Sequence, residues 1–236
     1  MDVVFLGTNN AGFDIYEWLC DREGVTVAAL LTEPDQLDFV REREPDLVVA
    51  CGFEHIVPPE ILAVPEAGCL NVHPGLLPET RGYNPNVWSI VEDRPAGVTI
   101  HYMSEAVDEG DIVATRTVDC SFADTGRTLY ERLEAACVEL FIDTWPAIEA
   151  GEVDPSPQDD GEAGWHTKSE FDALCELDPE AEYTVRELLD RLRALTFPPF
   201  DNAYVDVDGE RYYLELSITP ESETDDGDGA GLLDAY

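Results

Sequence analysis

Asp46-Leu47-Val48-Val49-Ala50-Cys51-Gly52, followed at a short interval by Cys69-Leu70-Asn71-Val72, decides how this 236-residue chain folds. Neither run alternates apolar with polar residues, as a strand with one wet face would. Both are short and continuously apolar until Asn71, the pattern of strands covered on both faces. Val3-Val4-Phe5-Leu6-Gly7 has the same character, as has the stretch from Val25 to Leu31. Between those two, Phe13, Ile15, Tyr16 and Leu19 give residues 12–20 helical periodicity. Apolar strands alternating with helices predict an α/β fold built on an open, mostly parallel, Rossmann-like sheet with helices on both faces. Ligands of such sheets gather at the carboxyl ends of the strands, and Asn71 and His73 lie at one of them.

Beyond that core, Val98 to Met103 and Ile112 to Val118 read as two more strands, joined by the loop Ser104 to Asp111. An amphipathic helix follows, with Asp124 or Thr125 as cap and Leu129, Leu133, Cys137, Leu140, Phe141 and Ile148 as its apolar stripe. The catalytic unit is therefore drawn at residues 1–150. Residues 151–165, rich in Pro, Gly and acid, read as a linker. Residues 166–219 form a small C-terminal α+β appendage. Thr184-Val185-Arg186-Glu187 has capping-box spacing and opens a helix through about Leu195, ended by Pro198-Pro199. Ala203 to Val207 and Arg211 to Ile218 flank Asp208-Gly209, a hairpin signal. Residues 220–236 are an acidic tail with little to bury, expected to lack structure.

The formal net charge is −39, and Lys168 is the only lysine. Acid is spread along the whole chain, as in proteins adapted to concentrated salt, so a halophilic cytoplasm is the expected setting. That charge argues against a nucleic-acid partner, which selects clustered Lys and Arg. The six cysteines show no metal-ligand spacing and read as buried small hydrophobes of a reducing compartment. No apolar run reaches the roughly 18 residues of a membrane span. The chain opens directly on a strand, so no signal peptide is expected, and the localisation read from the sequence is cytoplasmic.

Asn71-Val72-His73-Pro74 is followed by Val107-Asp108-Glu109-Gly110-Asp111. An amide, an imidazole and a carboxylate suit transfer of a one-carbon acyl group to an amine, which passes through a tetrahedral oxyanion. Asn71 and His73, one residue apart in extended chain, point to the same face and are expected to converge on one oxygen. A carboxylate such as Asp108 favours the charged, donating form of a neighbouring imidazole, and is placed to take the proton the amine loses. Read alone, Asn71 and His73 serve equally well to tie down the turn before Pro74. His101, inside a strand between Ile100 and Tyr102, reads as a core or strand-surface residue. His55 and His166 have no ligand partners at useful spacing, so no metal is expected. Gly7-Thr8-Asn9-Asn10-Ala11-Gly12 follows the first strand and opens a helix. It is a weak phosphate signal, and Asn9 and Asn10 are alternatively acceptor contacts.

The wider pattern is more specific. Asn71-x-His73-Pro74-x-x-Leu77-Pro78-x-x-Arg81-Gly82-x-x-Pro85-x-x-Trp88, then Gly97-Val98-Thr99-Ile100-His101-Tyr102-Met103, then Val107-Asp108-x-Gly110-Asp111-Ile112 resembles the folate-dependent formyltransferases over roughly residues 1–150. The resemblance implies the formyltransferase fold, 10-formyltetrahydrofolate as formyl donor, and Asn71, His73 and Asp108 as catalytic residues. Ala50 to Pro58 looks like the family's pterin-side loop, which implies donor contacts from Gly52, Phe53, Ile56 and Val57, with Ser104 closing the other edge. Taken alone, the same segment is an ordinary strand exit before a helix starting at Pro58-Pro59.

The acceptor is less legible. Residues 183–204, with Leu195-Thr196-Phe197-Pro198-Pro199-Phe200, resemble the short appendage of sugar-nucleotide N-formyltransferases. Arg81-Gly82-Tyr83-Asn84-Pro85-Asn86 is similar to the variant found there, which makes Arg81, Tyr83 and Asn84 candidate acceptor contacts. About a dozen residues, a short and acidic stretch, separate the second and third strands, fewer than family members usually place there. The implied acceptor is the amine of a nucleoside-diphosphate amino-deoxysugar. The alternatives are a methionyl-tRNA formyltransferase of reduced size and a non-catalytic binding protein that keeps the fold. The edges of the hairpin at 203–218 are free to meet a twin subunit, making a homodimer, and equally free to fold back on their own chain.

Overall fold

Three strands carry the parallel half of the sheet foreseen above: β1 (Asp2–Leu6), β2 (Thr26–Leu31) and β3 (Leu47–Ala50), with β4 (Cys69–His73) parallel to β3. In this computed structural model residues 1–7, 9–159 and 163–223 are described; Thr8, residues 160–162 and most of the acidic tail lie outside them. Strand order is β2-β1-β3-β4-β6-β7, where β6 is Ala96–Tyr102 and β7 Ile112–Val118. The pairs β4–β6 and β6–β7 are antiparallel, so the sheet is mixed and mostly parallel, with four adjacent strands of its six running together.

Helix α1 (Asn10–Cys20) begins two residues earlier than its periodicity predicts, because the Asn9 side chain accepts from the Gly12 N–H and caps it. The abbreviated crossover from β2 to β3 holds a 3₁₀ turn (Pro34–Gln36) and α2 (Asp38–Arg43), enough to return the chain parallel. Helix α3 (Pro59–Leu62) begins where the plain strand-exit reading puts a helix start, whereas α4 (Pro85–Val91), which starts on a proline at its first turn, was not foreseen from the sequence. Between them the pair Arg81–Gly82 forms β5. Helix α5 (Gly126–Ala150) is capped by Thr125, and all six residues of its expected stripe are buried.

The two faces of the sheet have different cores. Val3, Phe5, Leu47, Val49, Leu70, Val72, Val98 and Ile100 pack with α1 and α5 in the larger one. On the other face Val4, Leu6, Val48, Ala50 and Cys69 pack with Val40 of α2 and Ile61 of α3. Continuing across that second face, the next residues are Asn71 and His73 on β4, then Thr99 and His101 opposite them on β6. The face changes from apolar to polar within one strand spacing.

The C-terminal part comprises β8 (Trp165–His166), α6 (Lys168–Cys175), β9 (Glu176–Leu177) and α7 (Val185–Leu195). The short strands β10 (Thr196–Phe197), β11 (Phe200–Asp201), β12 (Tyr204–Val207) and β13 (Glu210–Tyr213) complete it. Helix α6 was missed in the sequence although Thr167 and Glu170 form a capping box there, as Thr184 and Glu187 do for α7. The hairpin turns at Asp208 (φ 52°) and Gly209 (φ 83°), a left-handed pair suited to a two-residue connection. Its second strand stops at Tyr213 rather than Ile218, because the Leu216 N–H leaves the ladder for the Thr196 hydroxyl. Leu177, Ala194, Leu195 and Ala203 join the larger core.

Phe141 is fully buried in that core, against Trp18 and Trp145. Phe141→Ala is expected to cost about 3–5 kcal/mol, measured as a lower denaturant midpoint at constant slope.

Candidate functional site

Strand β4 delivers Asn71 and His73 to the polar face, and the antiparallel register sets Asn71 opposite His101 and His73 opposite Thr99. Asp108 arrives from the β6–β7 loop in a left-handed conformation (φ 56°). Gly110 lets that loop turn back, since a Cβ there would lie 1.8 Å from the Tyr102 carbonyl oxygen. Asp108 Oδ2 accepts the Gly82 N–H at 2.9 Å and lies 3.7 Å from His73 Nδ1; its Oδ1 lies 3.5 Å from His101 Nε2. His73 and Asp108 meet directly and Asn71 joins them through His101, and all but Asn71 are less than a tenth exposed.

His101, read from the sequence as a core or strand-surface residue, is buried on the polar face of β6, with Nε2 3.2 Å from Asn71 Nδ2 and Nδ1 2.8 Å from the Tyr102 carbonyl oxygen. The signal was present in Val98-Thr99-Ile100-His101. Its apolar positions face the larger core, so its polar positions share the other face.

The geometry also corrects the picture of two donors free to converge on one oxygen. His73 Nε2 lies 2.9 Å from the Thr80 carbonyl oxygen, which only accepts, so Nε2 carries a hydrogen and donates it there. Its other nitrogen faces Asp108, so both are engaged within the chain. Asp108 in turn is a poor resting place for a proton. Burial alone would raise its pKa, but the charge of His73, the hydrogen bond and charge of His101 and the Gly82 N–H together hold it well below the usual carboxylate range. It is an anchored anion, better suited to orienting imidazoles than to acting as the base first expected.

Gln158, within the stretch read as a linker, ties these loops together. Its Nε2 donates to the Asp108 and Gly110 carbonyls at 2.8 and 2.7 Å, while its Oε1 accepts from Arg81 Nε and Nη2 at 3.1 and 2.8 Å. Ser156 pairs with Ile112 of β7, and Trp165–His166 lies parallel to Arg81–Gly82. Nothing in the local sequence singled out Gln158.

The remaining candidates scatter around the cluster. Arg81 is buried, with its guanidinium on Gln158 and 3.7 Å from Glu109. Tyr83 is exposed and meets Phe171 edge-on, and Asn84 (φ 53°) leads into α4. Trp88 is buried, donates to the Tyr83 carbonyl and stacks on His166 at 3.8 Å. The 51–58 loop leaves β3 beside Asn71, since Ala50 pairs with Asn71. There Ile56 is 73% exposed, Phe53 lies half-buried against His55, and a cleft of about 270 Å³ lined by Thr32, Glu33, Gly52, Glu54 and His55 opens. Val57 departs from the expected role, because its side chain belongs to the second core. Ser104 donates to the Ala106 carbonyl. On the opposite face Asn9 caps α1 and lies 3.5 Å from the Tyr130 hydroxyl, while Asn10 donates to buried Glu134. Neither asparagine belongs to the polar cluster. Among the described residues no helix is long and apolar enough to cross a membrane.

The Asp108 shift fixes a sign. A carboxyl with a lower pKa folded than unfolded binds its proton more weakly in the native state. It therefore adds stability above its ordinary value of 3.8 and loses that contribution as pH falls further. The stability advantage of the wild type over Asp108→Asn should shrink as pH falls from roughly 5 to 2.5. Denaturant titrations that give a constant difference over that range would contradict the assignment.

With that geometry in view, known proteins supply the family. The sequence profile described as "Formyl transferase" matches residues 9–144, and one described as "N-formyltransferase dimerization C-terminal domain" matches residues 170–220. A methionyl-tRNA formyltransferase of Bacillus subtilis (strain 168) is 35% identical over 186 residues, which cover 78% of this chain and 56% of that protein. The chain thus spans little more than half the length of that relative. A sugar N-formyltransferase from Shewanella sp FDAARGOS_354 superposes with a TM-score of 0.84 at 27% identity, covering 93% of this chain and 98% of that one. A formyltransferase from Anoxybacillus kamchatkensis was solved with UDP-4,6-dideoxy-4-formamido-L-AltNAc and tetrahydrofolate. It gives a TM-score of 0.64 at 30% identity over 73% of this chain and 89% of that one. The polar face built from Asn71, His73 and Asp108 thus sits in a chain that belongs to the folate-dependent formyltransferase family.

Proposed function

We propose that the chain moves a formyl group from 10-formyltetrahydrofolate to the amine of a nucleotide-linked amino-deoxysugar. The observation that carries the transfer chemistry is the convergence of Asn71, His73 and Asp108 on one polar face at the end of β4. In the reaction the neutral amine attacks the formyl carbon; a new C–N bond forms and the carbon's bond to the folate nitrogen breaks. The amine gives up one proton and the departing folate nitrogen takes one. Asn71 donates to the oxyanion that develops between these events. His73 contributes when its Nε2–H turns from the Thr80 carbonyl to the substrate, a tightening that catalytic hydrogen bonds undergo as substrate binds. Asp108 remains ionised and holds His73. The donor fits beside this cluster, where exposed Ile56 offers an apolar surface and the strand exit at Gly52 opens a cleft.

Support for a sugar acceptor comes from likeness over nearly the whole length of the Shewanella sugar N-formyltransferase, and from the UDP-linked formamido sugar in complex with the Anoxybacillus protein. The short acidic crossover between β2 and β3 offers little to a polyanion. Tyr83, which is exposed, and Asn84 are the proposed acceptor contacts; Arg81 is buried with its guanidinium on Gln158. A second reading, formylation of methionyl-tRNA, is favoured by the Bacillus relative. We further propose that the chain works as a homodimer through residues 170–220, where Phe200, Tyr212 and Tyr213 are exposed, and in the concentrated salt that its charge of −39 suits.

The deciding experiment offers 10-formyltetrahydrofolate at high salt with thymidine- and uridine-diphosphate amino-deoxysugars and with methionyl-tRNA. Turnover of an amino-sugar nucleotide is expected; turnover of methionyl-tRNA alone would replace this reading with the second. His73→Ala is expected to lower kcat by roughly 100-fold or more, as loss of an oxyanion donor does, and a variant of near-full activity would remove His73 from the mechanism.

A further inference from the structure

Gln158 lies between the two matched profiles, one ending at residue 144 and the other beginning at 170, and no step of the chemistry above uses it. Its side chain makes four hydrogen bonds, all to the two segments that flank the Asp108 carboxylate. Nε2 gives one hydrogen to the Asp108 carbonyl and one to the Gly110 carbonyl, at 2.8 and 2.7 Å. Oε1 accepts from Nε and Nη2 of Arg81, at 3.1 and 2.8 Å. A carbonyl oxygen only accepts and a guanidinium only donates, so the amide has one permitted orientation. Turned over, it would set its oxygen against two oxygens and its hydrogens against a cation.

The loop it holds needs an anchor. Asp108 has a left-handed backbone (φ 56°), a conformation that a residue with a side chain keeps where its surroundings impose it. On the other segment the Gly82 N–H donates to Asp108 Oδ2 at 2.9 Å. Arg81-Gly82 and Asp108-Glu109-Gly110 are therefore joined twice, once through the carboxylate and once through Gln158. Gln158 is itself fixed two residues earlier, where the Ser156 N–H and carbonyl both pair with Ile112, at 2.9 and 2.8 Å.

We infer that Gln158 is a positioning residue for formyl transfer, holding the Asp108 and Gly110 carbonyls against Arg81 and so setting where the Asp108 carboxylate meets His73. That contact is 3.7 Å from Oδ2 to Nδ1, and a loop movement of about 1 Å is enough to lose it. This inference rests on the roles proposed for His73 and Asp108, and its test separates the two.

Gln158→Met keeps the length of the side chain and removes all four hydrogen bonds. Gln158→Glu keeps the shape and the acceptor for Arg81 but brings no hydrogen to the carbonyls. The assay uses 10-formyltetrahydrofolate and whichever acceptor the panel turns over, in samples matched for folded protein by denaturant titration. Each variant should lower kcat by roughly 10- to 100-fold, with KM for the formyl donor changed less than about 2-fold. A Gln158→Glu variant near wild-type kcat would show that holding Arg81 suffices, and would overturn the inference; so would Gln158→Met at near-full activity. Nitrogen-15 NMR of the full-length wild type adds a measurement that stands even if neither variant folds. Both side-chain amide hydrogens of Gln158 should exchange with water at least about 10-fold more slowly than those of exposed Gln36, the only other glutamine. Equal exchange overturns the inference. His73→Ala at full turnover removes the cluster from the mechanism and this inference with it. An inactive His73→Ala beside a fully active Gln158→Met sinks this inference alone.

Discussion

A carboxylate with 8% of its surface exposed must be compensated on every side, because an unpaired buried charge costs several kcal/mol. Much of the local structure around Asp108 follows from that need. Gly82 turns its N–H inward, two imidazoles stand at 3.5 and 3.7 Å, and the loop bends left-handed at Asp108 itself. Gln158 then holds the carbonyls of Asp108 and Gly110, so the loop that carries the charge is fixed from outside as well as inside. Removing one of these supports disturbs the others, since the groups share partners.

The same economy explains why the site lies on a sheet face rather than in a loop. Val48 and Ala50 pack against the second core; one strand further, Cys69 does the same, while Asn71 and His73 do not. Around that part of the sheet Ser156 and Gln158 on one side and Trp165–His166 on the other are joined to the site loops by hydrogen bonds. A polar group on a covered face keeps a low-dielectric environment, in which donors aimed at a developing negative charge act most strongly. Rigid strands set the spacing of Asn71, His73 and His101 more firmly than a loop would.

The C-terminal part is joined to this frame by packing as well as by chain. Arg193 of α7 donates to the Ser121 and Asp124 carbonyls at the start of α5, and Ala194 and Leu195 enter the larger core. The hairpin beyond it leaves Tyr212 and Tyr213 exposed, an apolar surface on an otherwise strongly acidic chain.

Much of this was legible before any coordinates. Continuous β-branched runs announced the parallel strands, the Thr125 and Thr184 caps announced their helices, and Asp208-Gly209 announced the hairpin, because each depends on residues within a turn or two of one another. The spacing of Asn71 and His73 likewise put both on one face. What the sequence by itself could not determine was pairing across distance: that β6 runs antiparallel to β4 and sets His101 against Asn71, that Thr80 engages His73, and that Gln158 reaches back 50 residues to the Asp108 carbonyl. Those contacts carry no local signature. They exist only because the fold buries a charge and the surrounding polar groups must find one another there.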